Sequence, residues 1–151
     1  MRKKEPKKGF YRPLNPKKYK GDPTNIIHRS GLEKKFMEFL DTSSSILEWS
    51  SEEFYIPYWD PTSGRYRRYF PDFYFRAKTP QGTDKHVVVE LKPKSQTIEP
   101  KIPKRKTQRF ITEVMTWGVN CAKWEAAKEY CAKRNWEFQI ITEHDMGISY
   151  K

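Results

Sequence analysis

The sequence has few of the residues that build soft-metal sites or disulfide frameworks. It contains three histidines and two cysteines among 151 residues. His28, His86 and His144 have no paired spacing, so neither a histidine-metal nuclease nor a zincin is supported. Cys121 and Cys131 lie on a predicted helix, about 15 Å apart along its axis, which excludes a disulfide between them. One pair of thiols cannot make a zinc site, and the pattern is typical of a reducing cytosol.

Long hydrophobic runs are also missing. No apolar stretch approaches the roughly 20 residues of a membrane span, and the N-terminus lacks a signal-peptide core. We therefore expect no membrane partner. Aliphatic content is modest, but aromatic residues make up 15% of the chain, and their rings bury enough area to build a core. The length suits one compact domain.

Positive charge is plentiful, and it is concentrated in two segments. The formal net charge is +11. Residues 1–22 carry nine Lys or Arg and two acids, and residues 92–109 carry seven Lys or Arg and one acid. The remainder of the chain is therefore almost neutral. This distribution is typical of a protein with a polyanionic partner such as double-stranded DNA.

The chain divides into three parts. Residues 1–28 are basic and lack periodicity; they predict an N-terminal arm that is either flexible or lies on phosphates or a partner. Residues 29–145 predict a single domain, and residues 146–151 a frayed tail. Ser30 and Glu33 have the spacing of a capping box at the start of a helix. Its expected buried stripe consists of Leu32, Phe36, Phe39 and Leu40.

Strand patterns occupy residues 46–58, 65–76, 86–92 and 136–141, with a long helix from about Lys106 to Asn135 before the last strand. The first three strands are joined by short turns and predict an antiparallel meander. Val87-Val88-Val89 shows no alternation, which indicates a strand buried on both faces. The expected fold is α/β of the α+β type, with the order helix, three-stranded meander, helix, strand, and a mixed sheet.

Two carboxylates and a lysine fall on neighbouring predicted strands. Glu90 and Lys92 share one face of the third strand, and Asp72 follows Pro71 on the second. If the strands pair, Asp72 and Glu90 point at one spot and repel each other unless a cation lies between them. With the Leu91 carbonyl, these hard oxygen ligands suit Mg²⁺, for which Mn²⁺ would substitute.

The alternative for this group is a solvated strand face with a cross-strand ion pair. Its placement favours the metal site, because the charges directly follow a buried valine run. Burial of such charges costs roughly several kcal/mol unless they are paired or bind a metal. Lys92 would then hold or help deprotonate the attacking water. Glu33 is the candidate third carboxylate, although a capping role alone would also explain it.

Several polar residues are candidates for contacts with the DNA backbone. Gln108 and Arg109 open the second helix, whose N-terminus attracts phosphate, and Asn120 and Lys123 lie further along it. An ordinary polar helix face explains them equally well. The full candidate set is Arg29, Lys94, Lys104, Arg105, Lys106, Gln108, Arg109 and Lys123.

Glu33, Pro71-Asp72 and Glu90-x-Lys92 together resemble the PD-(D/E)xK nuclease superfamily, whose core is the restriction-endonuclease-like fold. Phage junction-resolving endonucleases and the heteromeric-transposase endonuclease subunit place a glutamate on the helix before the motif, as Glu33 would be here.

Longer tracts resemble the head-completion nucleases of T-even-type tailed phages. They are Asn15-Pro16-Lys17-Lys18-Tyr19-Lys20-Gly21-Asp22-Pro23, Glu48-Trp49-Ser50-Ser51-Glu52-Glu53, Arg68-Tyr69-Phe70-Pro71-Asp72-Phe73, Glu90-Leu91-Lys92-Pro93-Lys94 and Ala122-Lys123-Trp124-Glu125-Ala126-Ala127.

This resemblance implies a DNA endonuclease that acts in head completion, on the packaged DNA end or at the portal vertex, in the host cytoplasm or on the virion. Phage portal or neck proteins would be its partners, and both a monomer and a homodimer are compatible with the sequence. Two alternatives are a non-catalytic DNA-end-binding or portal-vertex structural protein and a branched-DNA (junction) resolvase or transposon-end nuclease. Cleavage of linear, branched and single-stranded DNA would separate them.

Overall fold

The computed structural model describes residues 8–146, which form eight strands and two α-helices. Among these residues, neither α-helix is both long and apolar enough to cross a membrane. Two short 3-10 helices lie at Pro16–Lys18 and Lys94–Thr97. The main elements are β1 (Gly9–Phe10), β2 (Ile27–His28), α1 (Gly31–Thr42), β3 (Ile46–Ser51), β4 (Ile56–Asp60), β5 (Arg65–Tyr69), β6 (Phe73–Lys78), β7 (Asp84–Leu91), α2 (Gln108–Ala132) and β8 (Glu137–Ile141).

A four-stranded mixed sheet lies at the centre, in the order β3–β6–β7–β8. β3, β6 and β7 are antiparallel neighbours, and β8 returns after α2 to pair parallel with β7. The predicted mixed sheet and α+β class are therefore confirmed. Val87, Val88 and Val89 are buried, as expected of a strand that is covered on both faces.

Two of the predicted strands were wrong in extent, because each divides in two. The strand expected at 46–58 becomes β3 and β4; between them Glu52 adopts a left-handed backbone (φ 53°), which an extended strand does not accommodate. The strand expected at 65–76 becomes β5 and β6, which are separated at Pro71, a residue with no N–H for a ladder hydrogen bond. β4 and β5 pair with each other as a separate antiparallel hairpin.

The helices cover opposite faces of the sheet. α1 packs Phe36, Met37 and Leu40 against alternate residues of β6 and β7, whereas α2 packs against the other face and against the β4–β5 hairpin. The predicted α1 stripe was wrong at Phe39, which is 51% exposed; Met37 fills the core instead. Beyond α2, Asn135 has the left-handed backbone (φ 56°) that suits the residue after a helix.

The N-terminal segment packs against the domain from residue 8 onward. Tyr11, Tyr19 and Ile26 belong to the main core cluster, and β1 pairs with β2. Residues 8–28 are therefore packed structure and not the separate arm that the sequence predicted, because Tyr11, Tyr19 and Ile26 are buried, although Phe10 and Leu14 are exposed. At the other end Met146 packs against the same core. Residues 1–7 and 147–151, on which the rest of the arm and tail predictions fall, lie outside the described residues.

Candidate active site

Strand register brings Asp72 and Glu90 to opposite positions. β6 and β7 pair with Phe73 opposite Val89, and one further step along this register places Asp72 opposite Glu90. Directly opposed residues of antiparallel strands have Cβ atoms about 4.5–5.5 Å apart. The Thr79–Gly82 turn that joins the strands is closed by a hydrogen bond from the N–H of Gly82 to the carbonyl of Thr79 (2.9 Å). The turn thus fixes the register that the site requires.

Asp72 is held by the backbone of the neighbouring strand. Its Oδ2 accepts a hydrogen bond from the N–H of Leu91 at 2.8 Å. Burial, followed by the charge of Glu90, raises the pKa of Asp72 to about 8, and the Leu91 hydrogen bond opposes this only in part. An Asp at this position therefore resists ionisation until positive charge arrives.

Glu90 is buried on the sheet face that α2 and the hairpin cover. Its Oε2 accepts a hydrogen bond from the Tyr69 hydroxyl at 2.6 Å, and its Oε1 lies 3.6 Å from Nζ of Lys92. Burial raises the pKa of Glu90, while Tyr69, Lys92 and Lys123 lower it. Lys123 reaches this region from α2, with its Nζ 5.7 Å from the centroid of the Tyr69 ring.

Glu33 lies at the first turn of α1. Its N–H donates to Oγ of Ser30 at 3.1 Å, and its Oε2 accepts from the N–H of Arg29 at 2.8 Å. The predicted cap is thus present. Glu33 is also among the charges that raise the pKa of Asp72, so its carboxylate lies within electrostatic reach of the site. Arg29 forms an ion pair with Glu52 at 2.6 Å beside it.

Comparison with known proteins matches the chain to a nuclease family. Residues 43–143 match the model of the TnsA-like endonuclease N-terminal domain, a span that contains Asp72, Glu90 and Lys92. The chain belongs to the TnsA-like endonuclease family. It is also similar to the head completion nuclease of Enterobacteria phage T4, with 40% identity over 139 residues that cover 89% of this chain and 90% of the relative. The expected resemblance is therefore confirmed.

In this TnsA-like endonuclease, Glu33 and Arg29 lie before the matched span, so the family match does not extend to them. The relative covers more of the chain than the family match does. The placement of Glu33 near Asp72 consequently rests on the structure itself, and its catalytic role stays a prediction.

The donor set fits a hard cation. Asp72 and Glu90 offer two carboxylates with raised pKa values, and the Lys92 ammonium 3.6 Å from Glu90 offsets one charge at most. Among residues 8–146, no group of three or more His, Cys, Asp or Glu side chains is arranged to hold a metal. A cation would therefore be held by these two side chains, a backbone carbonyl such as that of Leu91, and water.

The predicted DNA-contacting residues fall in three places. Arg29 and Lys123 lie beside the carboxylates, as described above. The connection between β7 and α2 carries the exposed residues Lys94, Lys104, Arg105 and Lys106. Gln108 and Arg109 are exposed in the first turn of α2, which follows directly. Arg109 forms an i,i+4 ion pair with Glu113 at 3.1 Å. The structure thus brings Arg29 and Lys123 to the site and leaves the remaining six on an open surface.

Sequence reasoning missed Tyr69. Its hydroxyl donates to Glu90, and burial together with the nearby Glu90 charge raises the pKa of Tyr69, so the hydroxyl keeps its proton. The only signal in the sequence is its place three residues before Asp72. Sequence spacing alone does not give Tyr69 a role, because its contact with Glu90 depends on the packing of the end of β5 against β7.

Proposed function

We propose that the chain is a Mg²⁺-dependent DNA endonuclease that hydrolyses phosphodiester bonds, with Mn²⁺ as a working substitute. The observation that carries the proposal is the opposed pair Asp72 and Glu90, two buried carboxylates with raised pKa values, of which Glu90 lies 3.6 Å from the Lys92 ammonium. Lys92 and Lys123 both lower the pKa of Glu90, yet the pKa values of both carboxyl groups stay raised. The pair therefore calls for further positive charge.

Each neighbouring group has a proposed task. The N–H of Leu91 and the hydroxyl of Tyr69 hold Asp72 and Glu90 in fixed orientations, which a site for a hard cation requires. Lys92 orients the attacking water and offsets the negative charge that develops on the phosphate. Glu33 supports a second cation or a water molecule. A bound divalent cation would polarise the scissile phosphate and lower the pKa of water.

We further propose a role in phage head completion, which the name of the T4 relative supports. The DNA substrate would be the packaged end or the DNA at the portal vertex, after packaging. The protein would act in the host cytoplasm or on the virion, in contact with portal or neck proteins. A homodimer would allow both strands to be cut.

A plasmid-nicking assay tests the enzymatic proposal. With Mg²⁺ the wild-type protein should nick and linearise supercoiled DNA, and Asp72→Ala or Lys92→Ala should lower the rate at least about a hundredfold while the protein still folds and binds DNA. The matched control is Asp84→Ala, an exposed carboxylate at the opposite end of β7. Undiminished cutting by either site variant would reject the assignment.

A non-catalytic DNA-end-binding or portal-vertex role is the second candidate. It is favoured by the exposed basic residues Lys104, Arg105 and Lys106, which lie outside the carboxylate cluster and which hydrolysis does not need. Complementation separates the two candidates. Restoration of phage assembly by the Asp72→Ala variant would favour a structural role, and failure to restore it would favour chemistry.

A further inference from the structure

The β4–β5 hairpin presents an aromatic outer face that is largely exposed to solvent. Its register places Trp59 opposite Tyr66 and Pro57 opposite Arg68, and one further step places Tyr55 opposite Phe70. The four aromatic residues of this face are between 45% and 72% exposed. The inner face, by contrast, is buried against α2 through Ile56 and Tyr58.

The outer-face rings form two cross-strand pairs with an arginine between them. The ring centroids of Trp59 and Tyr66 are 5.1 Å apart, and those of Tyr55 and Phe70 are 5.8 Å apart. The guanidinium of Arg68 lies 5.7 Å from the centroid of the Tyr55 ring. A surface concavity of about 650 Å³ runs beside this face. Cross-strand pairs of this kind stabilise a hairpin, but stability does not require that the rings be left in water.

The charge of the hairpin points to a polyanion. Residues 55–70 contain three arginines and a single acid, Asp60, which is buried and forms an ion pair with Arg67 at 3.1 Å. The register places Arg65 opposite Asp60 and Arg67 opposite Tyr58, on the inner-face positions, so the outer face carries Arg68 and no carboxylate. Exposed rings interleaved with arginine are typical of surfaces that bind single-stranded nucleic acid, where bases stack on the rings and cations contact the phosphates.

The face also adjoins the proposed active site. Phe70 is two residues before Asp72, and Tyr69, the last residue of β5, donates its hydroxyl to Glu90. A strand that lay along the outer face would thus continue toward the carboxylates. Paired bases hide their faces inside a duplex, so the rings can stack only on unpaired bases.

We propose that this hairpin binds unpaired nucleotides next to the scissile phosphate, so that the substrate is DNA with a single-stranded or frayed end. The inference rests on the proposed nuclease function and narrows its substrate class. It assigns a binding role to Trp59, Tyr66, Tyr55, Phe70 and Arg68, none of which the sequence singled out for contact with DNA.

The test compares two DNA duplexes that differ only in a single-stranded overhang. Fluorescence anisotropy with full-length protein in EDTA measures both affinities without cleavage. The wild-type protein should bind the overhang duplex more tightly than the blunt one. In the Trp59→Thr/Tyr66→Thr variant the ratio of the two affinities should fall about tenfold, the scale for loss of a base–aromatic stack. Thr suits a strand, and Tyr66→Thr alone serves if the double variant does not fold.

The control is Phe39→Ala, which removes a ring of similar exposure on the opposite face of the sheet and should keep the wild-type ratio. Equal binding of both duplexes by the wild type, or an unchanged ratio in the hairpin variants, would overturn the inference. An unchanged ratio combined with lost phage assembly would identify a protein partner instead. Failure of the nuclease proposal itself would appear separately, as no cleavage of either duplex by the wild type in Mg²⁺ or Mn²⁺.

Discussion

The fold destabilises the ionised form of one residue, Asp72. Its carboxyl group is withdrawn from water beside Glu90, and these two causes, in that order, raise its pKa to about 8. In the unfolded chain the same group has a pKa near 3.9. Between about pH 4 and pH 8 the folded protein therefore keeps a proton that the unfolded chain loses. The contribution of Asp72 to the stability of the metal-free protein is therefore lost as the pH rises through this window.

Asp72→Asn should remove this dependence, because the amide is neutral at every pH. The free energy of unfolding of the variant, relative to the wild type, should increase by at least about 1 kcal/mol from pH 5 to pH 8 in EDTA. Urea unfolding at the two pH values measures it, with Asp84→Asn, an exposed acid at the start of β7, as the control. An identical difference at both pH values would contradict the raised pKa.

Removal of the Tyr69 hydroxyl should show how much the orientation of Glu90, as distinct from its charge, contributes to cleavage. Tyr69→Phe deletes one hydroxyl and leaves Glu90 buried with one hydrogen bond fewer. We expect about 1–2 kcal/mol of lost stability and about a tenfold lower cleavage rate. The matched control is Tyr130→Phe, a half-buried tyrosine of α2 that stacks on Phe54, outside the carboxylate cluster. If both variants cut DNA at the same rate, Tyr69 has no part in positioning Glu90.

At the level of elements, some features followed from the sequence for clear physical reasons. The Thr79–Gly82 turn sets the β6–β7 register, so the opposition of Asp72 and Glu90 follows from their spacing once the strands pair. The α1 cap follows from Ser30 and Glu33, since a cap depends on local contacts alone. The triple valine indicated a central strand because it lacks alternation.

The β4–β5 hairpin did not follow from the sequence, for an equally physical reason. Aromatic residues run continuously across β5 and β6, so composition does not show where one strand leaves the main sheet and another begins. The break depends on the left-handed backbone of Glu52 and on burial of the hairpin against α2, both of which arise from tertiary structure. Tyr69 was missed for the same reason.

The N-terminal segment depends on one buried carboxylate in α1. Asp41 is fully buried; its Oδ2 accepts from the Tyr11 hydroxyl and the N–H of Leu14, each at 2.7 Å, and its Oδ1 accepts from the N–H of Asn15 at 3.0 Å. Composition alone suggested a mobile arm because the segment is basic. These hydrogen bonds show how a basic segment becomes part of the core.

Asp41→Ala should therefore release this segment from α1. Three donors lose their acceptor, and we expect the free energy of unfolding to fall by about 3 kcal/mol. Tryptic cleavage within residues 8–28 should become faster. The control is Glu38→Ala, an exposed acid on the same helix. A loss below about 1 kcal/mol with unchanged proteolysis would show that the segment is held by its apolar side chains instead.

For the whole molecule, the distribution of charge predicts how DNA affinity responds to salt. Lys104 and Lys106 lie exposed in the connection that leads into α2, outside the carboxylate cluster. If both contact phosphates, they release counterions on binding and contribute to affinity without reading sequence.

The Lys104→Gln/Lys106→Gln variant should lower the slope of log affinity against log salt by about 2, equally for unrelated DNA sequences. The matched control is Lys34→Gln/Lys35→Gln, which removes two exposed lysines of α1. An equal change of slope in the two double variants would mean that DNA affinity depends on net charge alone and that the β7–α2 connection does not contact the phosphates.

Anomalous scattering from a crystal soaked in Mn²⁺ shows directly whether Asp72 and Glu90 together hold a divalent cation. We expect an anomalous peak at coordination distance from both carboxylates and the Leu91 carbonyl, and no such peak in a crystal of the Asp72→Ala variant. A wild-type crystal that shows no peak between these two side chains, at a Mn²⁺ concentration that supports cleavage, would contradict this cation site.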